Sequence, residues 1–159
     1  MDELTAAERL ARDVVQAVAA DELPLFDENV SAARRTGVGG SSGDDVLGIG
    51  IEATAVLTPM IIALAKVAVG AAWTMVSPAF AKKAAGPVAR LRAVVRKVPL
   101  VRWLIPAEKD PGELPQLNPE QLEGIRELVE GRALALGTPV AKAALLAEAV
   151  TGRLAVAQP

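Results

Sequence analysis

The 159-residue chain contains no cysteine, no histidine and no tyrosine. Without cysteine there are no disulfides, thiolate chemistry, iron–sulfur ligation or cysteine-based zinc sites. The lack of thiols also fits a reducing compartment. Without histidine the commonest general base and the commonest metal ligand are gone. A nucleophile–imidazole–carboxylate triad cannot be assembled from what remains. Catalysis would rest on Asp, Glu, Lys, Arg, Ser or Thr alone, so the chain reads as a non-enzymatic protein with no cofactor and no metal. Aromatic residues make up only 3%, which leaves few rings to stack on nucleic-acid bases. Acidic residues are absent over residues 53–107.

What is present is alanine. The 31 Ala residues, with Val and Leu, account for most of the 52% hydrophobic content, and Arg outnumbers Lys by 11 to 6. That bias resembles the codon-driven composition of a high-GC bacterial genome. Mean hydropathy is +0.33, high for a protein that lives in water. The length fits one domain, or a small domain with an appended segment, and suffices for a core without staples.

The formal net charge of −2 conceals three blocks. Residues 1–52 carry 11 acids and 4 bases, residues 53–107 carry 8 bases and no acid, and residues 108–159 carry 8 acids and 5 bases. Segregation of this kind points to a function for the basic block, or to complementarity between blocks.

The pattern divides the chain into an acidic N-terminal helical segment (1–35), a Gly-rich hinge (36–50), an apolar helix followed by a basic amphipathic helix (51–105), a Pro-rich linker (106–118) and a C-terminal helical hairpin (119–154). In the first segment Thr5 and Glu8 have capping-box spacing. Leu10, Val14 and Val18 recur every fourth residue, widened by Ala7 and Ala11, and predict a helix that stops near Asp21 or Glu22, because Pro24 disfavours helix just before it. Leu23, Leu25 and Phe26 form an apolar knot among acids, expected to be a loop packed on the core. Six glycines in 36–50 argue against regular structure. Gly48, Gly50 and Ala53 match a dinucleotide fingerprint by letter, but no strand precedes them, and the P-loop lysine is missing.

Residues 53–81 carry a single charge, Lys66. The stretch from Met60 to Ser77, between Pro59 and Pro78, approaches the roughly 20 apolar residues that span a bilayer. A central lysine costs about 3 kcal/mol on insertion scales, which the surrounding Ile, Leu and Val offset, and Trp73 lies toward an interfacial position. The competing expectation is a core helix, apolar all round because it is enclosed all round. Lys66 is thus an intramembrane charge in one reading and a buried or snorkelling charge in the other.

After the Gly86-Pro87 break, Leu91, Val94, Val95 and Val98 share a helical face. Around it lie Lys82, Lys83, Arg90, Arg92, Arg96, Lys97 and Arg102, with Trp103 at the end. A basic amphipathic helix of this type contacts anionic headgroups, and its place after an apolar span follows the positive-inside pattern. Nucleic acid is disfavoured as a partner, since only Trp103 is available for stacking and no binding module surrounds the bases.

In the C-terminal segment Asn118, Pro119 and Gln121 form a capping box with proline at the first helical position. Leu122, Ile125, Leu128, Val129 and Leu136 continue the helix. Gly137 is expected to close it, Thr138 to cap the next helix and Pro139 to begin it. Val140, Ala143, Ala144, Ala147 and Val150 line that second helix, with Leu145 and Leu146 beside them, and Gly152 is expected to end it. A DNA-reading role finds no Arg, Asn or Gln placed to reach base edges. The carboxylate pairs Asp27-Glu28, Asp44-Asp45 and Glu127-Glu130 stand at no metal-binding spacing.

The sequence therefore predicts an all-α protein with one long apolar helix, a basic amphipathic helix and a C-terminal αα-hairpin. Its leading functional expectation is a small bacterial protein at the inner membrane, inserting the apolar helix and meeting anionic lipid through the basic one. Its acidic head and hairpin would bind a protein partner or self-associate. The alternative is a cytoplasmic adaptor or assembly subunit that encloses the apolar helix in its own bundle or in an oligomer.

Overall fold

A computed structural model of the chain describes residues 4–35, 57–76 and 114–158, and among these all regular structure is helical. Five α-helices are present: α1 (Ala6–Val18), α2 (Phe26–Arg35), α3 (Leu57–Val76), α4 (Pro119–Ala135) and α5 (Val140–Val156), with a 3₁₀ segment at Ala20–Leu25 between α1 and α2.

Local signals explain where two of these helices begin. Thr5 caps α1 with a complete capping box to Glu8, and Asn118 caps α4 with a complete capping box to Gln121. Each box satisfies amides that have no partner inside the helix. Helix α1 ends at Val18, a few residues before the expected Asp21, and the chain tightens into 3₁₀ geometry across Pro24. The Leu23–Phe26 knot is not a loop. Phe26 opens α2 and is fully buried, Leu23 is half-buried, and Leu25 points out. Gly137 takes a left-handed φ of +82° after α4, a conformation that favours glycine.

Two details of the hairpin differ from expectation. Pro139, not Thr138, holds the N-cap position of α5, and the Thr138 hydroxyl turns to Met60 Sδ at 3.3 Å. Gly152 does not end α5, which continues to Val156. Packing of Val150, Thr151 and Leu154 into the core outweighs the glycine's cost of about 1 kcal/mol in a helix interior.

Helix α3 is the centre of the bundle. It packs against α1, α2, α4 and α5, while α4 and α5 pack on each other and α1 also meets α5. Ile61, Ile62, Leu64, Ala65, Ala68, Ala71 and Ala72 of α3 are essentially inaccessible. They lie against a core that includes Leu10, Val14 and Val15 of α1, Phe26 of α2, Ile125 and Val129 of α4, and Leu146, Val150 and Leu154 of α5. The alanines keep helix axes close, so that four neighbours fit around one helix. Burial of this apolar surface, at about 25 cal/mol per Å², is the main term holding the described helices together.

This packing overturns the membrane expectation. By length and composition α3 alone among the described helices could cross a bilayer. Yet most of its circumference is occupied by the protein's own helices, so those side chains are not available to lipid. The readings of a transmembrane helix, an inner-membrane location and an anionic-lipid partner fall with it. A helix that is apolar on every side is equally the signature of enclosure by protein, and α3 is that case.

Candidate functional site

The ionised side chains of the described residues are used first for structure. Glu8 lies in the first turn of α1, and its side chain is only 3% exposed. Arg34, near the end of α2, grips it with a fork: Nε donates to Oε1 at 2.8 Å and Nη2 donates to Oε2 at 2.7 Å. The Thr5 amide donates to Oε2 at 2.8 Å. The Arg34 hydrogen bond is the largest influence on Glu8. It opposes the effect of burial and, with Thr5, holds the carboxyl down to about 2. A buried carboxylate is tolerable here because both oxygens are paired. The result is a clamp between α1 and α2.

Glu22 does a second structural job over a longer distance in the chain. Its Oε1 accepts the Leu57 amide at 2.7 Å, and its Oε2 accepts the Thr58 amide at 2.8 Å and the Thr58 hydroxyl at 2.7 Å. The 3₁₀ segment thus supplies the N-terminal cap of α3 from 35 residues upstream. Partial burial works to raise the Glu22 carboxyl, but these hydrogen bonds and the charge of Lys142 outweigh it and hold it below the ordinary value. At the far end of the bundle the Gln158 side-chain carbonyl accepts the Leu117 amide at 3.0 Å, tying the end of the hairpin to its beginning.

Glu22 meets one hydroxyl, that of Thr58, but the same carboxylate oxygen also holds the Thr58 amide, so the pair serves the helix cap. Among the described residues no group of three or more Asp or Glu side chains is placed to hold a metal ion. Asp27 and Glu28 are exposed in the first turn of α2, where the helix dipole favours them. Glu127 and Glu130 lie on α4, partly exposed. Asp44 and Asp45 lie outside the described residues, as does the Gly-rich stretch.

The lipid-contact residues expected from the sequence, Lys82, Lys83, Arg90, Arg92, Arg96, Lys97, Arg102 and Trp103, also lie outside the described residues. Lys66 is described. It sits with Pro59, Ala63, Trp73 and Thr74 on the half-exposed strip of α3 that the other helices leave open. It is half-buried and not enclosed, a position from which a lysine can extend its charge to water along its aliphatic stem.

One surface stands apart from the rest. The outer face of α1 shows Arg12, Asp13 and Gln16 to solvent, as a helix on a water-facing surface should. The outer face of α5 does not. On that face Leu145 is 55% exposed and Val156 78%, and Val140, the first residue of the helix and on its other side, is 69% exposed. Ala141, Gly152 and Ala155 are exposed between them, and Ala149 is half-buried. Lys142, Glu148 and Arg153 are the charges on this face. Leu134 at the end of α4 adds a further exposed apolar side chain on the same hairpin. Sequence periodicity assigned Val140 to the core and did not single out this face, because Ala, Leu and Val recur on every side of α5 and its three charges do not gather into one polar face. The expected line of Ala143, Ala147 and Val150 is buried, whereas Val140 at the helix start and Leu145 beside the line are exposed.

The chain matches no family model, no curated protein and no solved structure, so the functional reading rests on its own geometry.

Proposed function

We propose that the protein is a non-enzymatic adaptor or assembly subunit, a helical bundle that encloses its apolar helix and docks a protein through the outer face of α5. The observation that carries this reading is the contrast between the polar outer face of α1 and the apolar outer face of α5. An isolated exposed Leu or Val is ordinary on a protein surface. A stripe in which Ala141, Leu145, Ala149, Gly152 and Val156 follow one another along the same face is what protein–protein contacts select. The absence of Cys and His from the sequence supports binding over chemistry.

A photo-crosslinking side chain placed at Leu145, with one at Arg12 as control, tests the reading in the full chain in cells. The expected result is an intermolecular adduct of defined mass from position 145 and none from position 12. Adducts of monomer mass only, equal labelling from both positions, or no adduct from 145 would overturn it. Fractionation without detergent tests the enclosure of α3, with the chain expected to stay in solution as a compact species.

A further inference from the structure

We propose that the occupant of the α5 face is a second copy of this chain, with the two α5 helices parallel about a twofold axis. This inference rests on the reading that the face docks protein at all. Its first support is spacing. Leu145, Ala149, Gly152 and Val156 alternate at four, three and four residues, the interval of a coiled-coil seam over two heptads.

The second support is charge placement. Glu148 flanks the seam on one side and Arg153 on the other, five residues later. In a parallel pair, a flanking residue meets the opposite flank of the other helix five positions further along. Glu148 of each copy therefore meets Arg153 of the other, and the twofold axis makes the contact twice. An antiparallel arrangement sets like flank against like and loses both pairs. Among the described residues, neither side chain has an ion-pair partner within its own bundle.

The third support is Gly152. It stands in mid-helix and exposed, and a Cβ built there would meet nothing within 4 Å. No contact inside the bundle requires a glycine, although a helix interior disfavours it by about 1 kcal/mol. A second backbone crossing at Gly152 and Ala149 gives the position a physical reason. Two heptads bury less than the roughly 1,200 Å² of a standard stable interface, so the pairing is concentration-dependent.

Sedimentation velocity on the full chain over a concentration series tests the proposal. The wild type is expected to show a reversible monomer–dimer equilibrium. Glu148→Arg alone and Arg153→Glu alone each turn two attractive contacts into two repulsive ones and should weaken dimerisation by roughly tenfold or more. Mixed in equal amounts, the two variants regain both attractive contacts in the heterodimer, which should form at least as tightly as wild type. Both positions are exposed, and unchanged thermal unfolding of each variant verifies that folding is intact.

A monomer at every concentration, a dimer indifferent to the reversals, or a mixture that fails to recover would overturn the proposal. A monomeric chain that still yields a crosslink from position 145 to a different protein would overturn self-pairing and leave the docking face standing. The absence of both would overturn both.

Discussion

Replacing Arg34 with alanine should remove the clamp between α1 and α2 and leave Glu8 buried without its main partner. The fall of the Glu8 carboxyl from 4.5 to about 2 corresponds to about 3 kcal/mol between its two protonation states. Not all of this belongs to Arg34, because Thr5 donates to the same carboxylate. The Arg34 side chain is also 34% exposed, so water screens the pair. Breaking a fully buried pair costs about 3–5 kcal/mol. For this half-solvated one a loss of about 2–3 kcal/mol at neutral pH is expected, or roughly 5–10 °C in Tm for a chain of this size.

The pH dependence has a definite sign. In the wild type Glu8 is depressed on folding, so its stabilisation is fully present above about pH 4.5 and is lost as pH falls toward about 2. In Arg34→Ala the largest influence lowering the Glu8 carboxyl is gone, and burial is opposed only by Thr5, so the group protonates at a higher pH than in the wild type. The side chain is then neutralised in the folded state as the solution is acidified. The penalty of the substitution should therefore shrink through that window. Urea unfolding followed by circular dichroism, near pH 7 and near pH 2.5, measures it. A penalty under about 0.5 kcal/mol at neutral pH, or one equal at both pH values, would refute the reasoning. Glu8→Leu combined with Arg34→Leu should recover much of the loss, since no unpaired charge remains buried.

Further outcomes follow from the same geometry. Glu22→Ala removes a cap that satisfies two α3 amides and should cost about 1–2 kcal/mol, with faster hydrogen exchange at Leu57 and Thr58. Unchanged exchange there would show that the α3 start is held by other contacts. Ile61→Ala cuts into the centre of the bundle and should destabilise by about 2–5 kcal/mol, measured by the urea midpoint. Ala68→Leu introduces a large side chain where α3 is completely enclosed and should cost about 1–3 kcal/mol through overpacking. A neutral effect in thermal unfolding would mean that α3 is not enclosed in solution. Lys66→Leu should leave detergent-free fractionation unchanged, because the half-exposed strip of α3 does not meet lipid.

The sequence by itself determined the helical class, the starts of α1 and α4, and the turn after α4. Those features depend on contacts a few residues apart. Thr5 with Glu8, Asn118 with Gln121, and Gly137 with its left-handed φ are each legible from spacing and residue type. The absence of histidine and cysteine and the low aromatic content likewise narrow the chemistry from the sequence alone.

Tertiary structure decided what solvates α3. A run of about 20 apolar residues minimises its free energy in lipid or among other apolar helices, and hydropathy is the same for both. Only the placement of α1, α2, α4 and α5 around it chose between them. The same degeneracy hid the outward side of α5, where Leu145 and Leu146 are identical letters, one exposed and one buried. It also hid the long-range pairs. Glu8 meets Arg34 across 26 positions and Glu22 meets Thr58 across 36. No periodicity reports partners at such separations, because the chain fold and not the helix repeat brings them together.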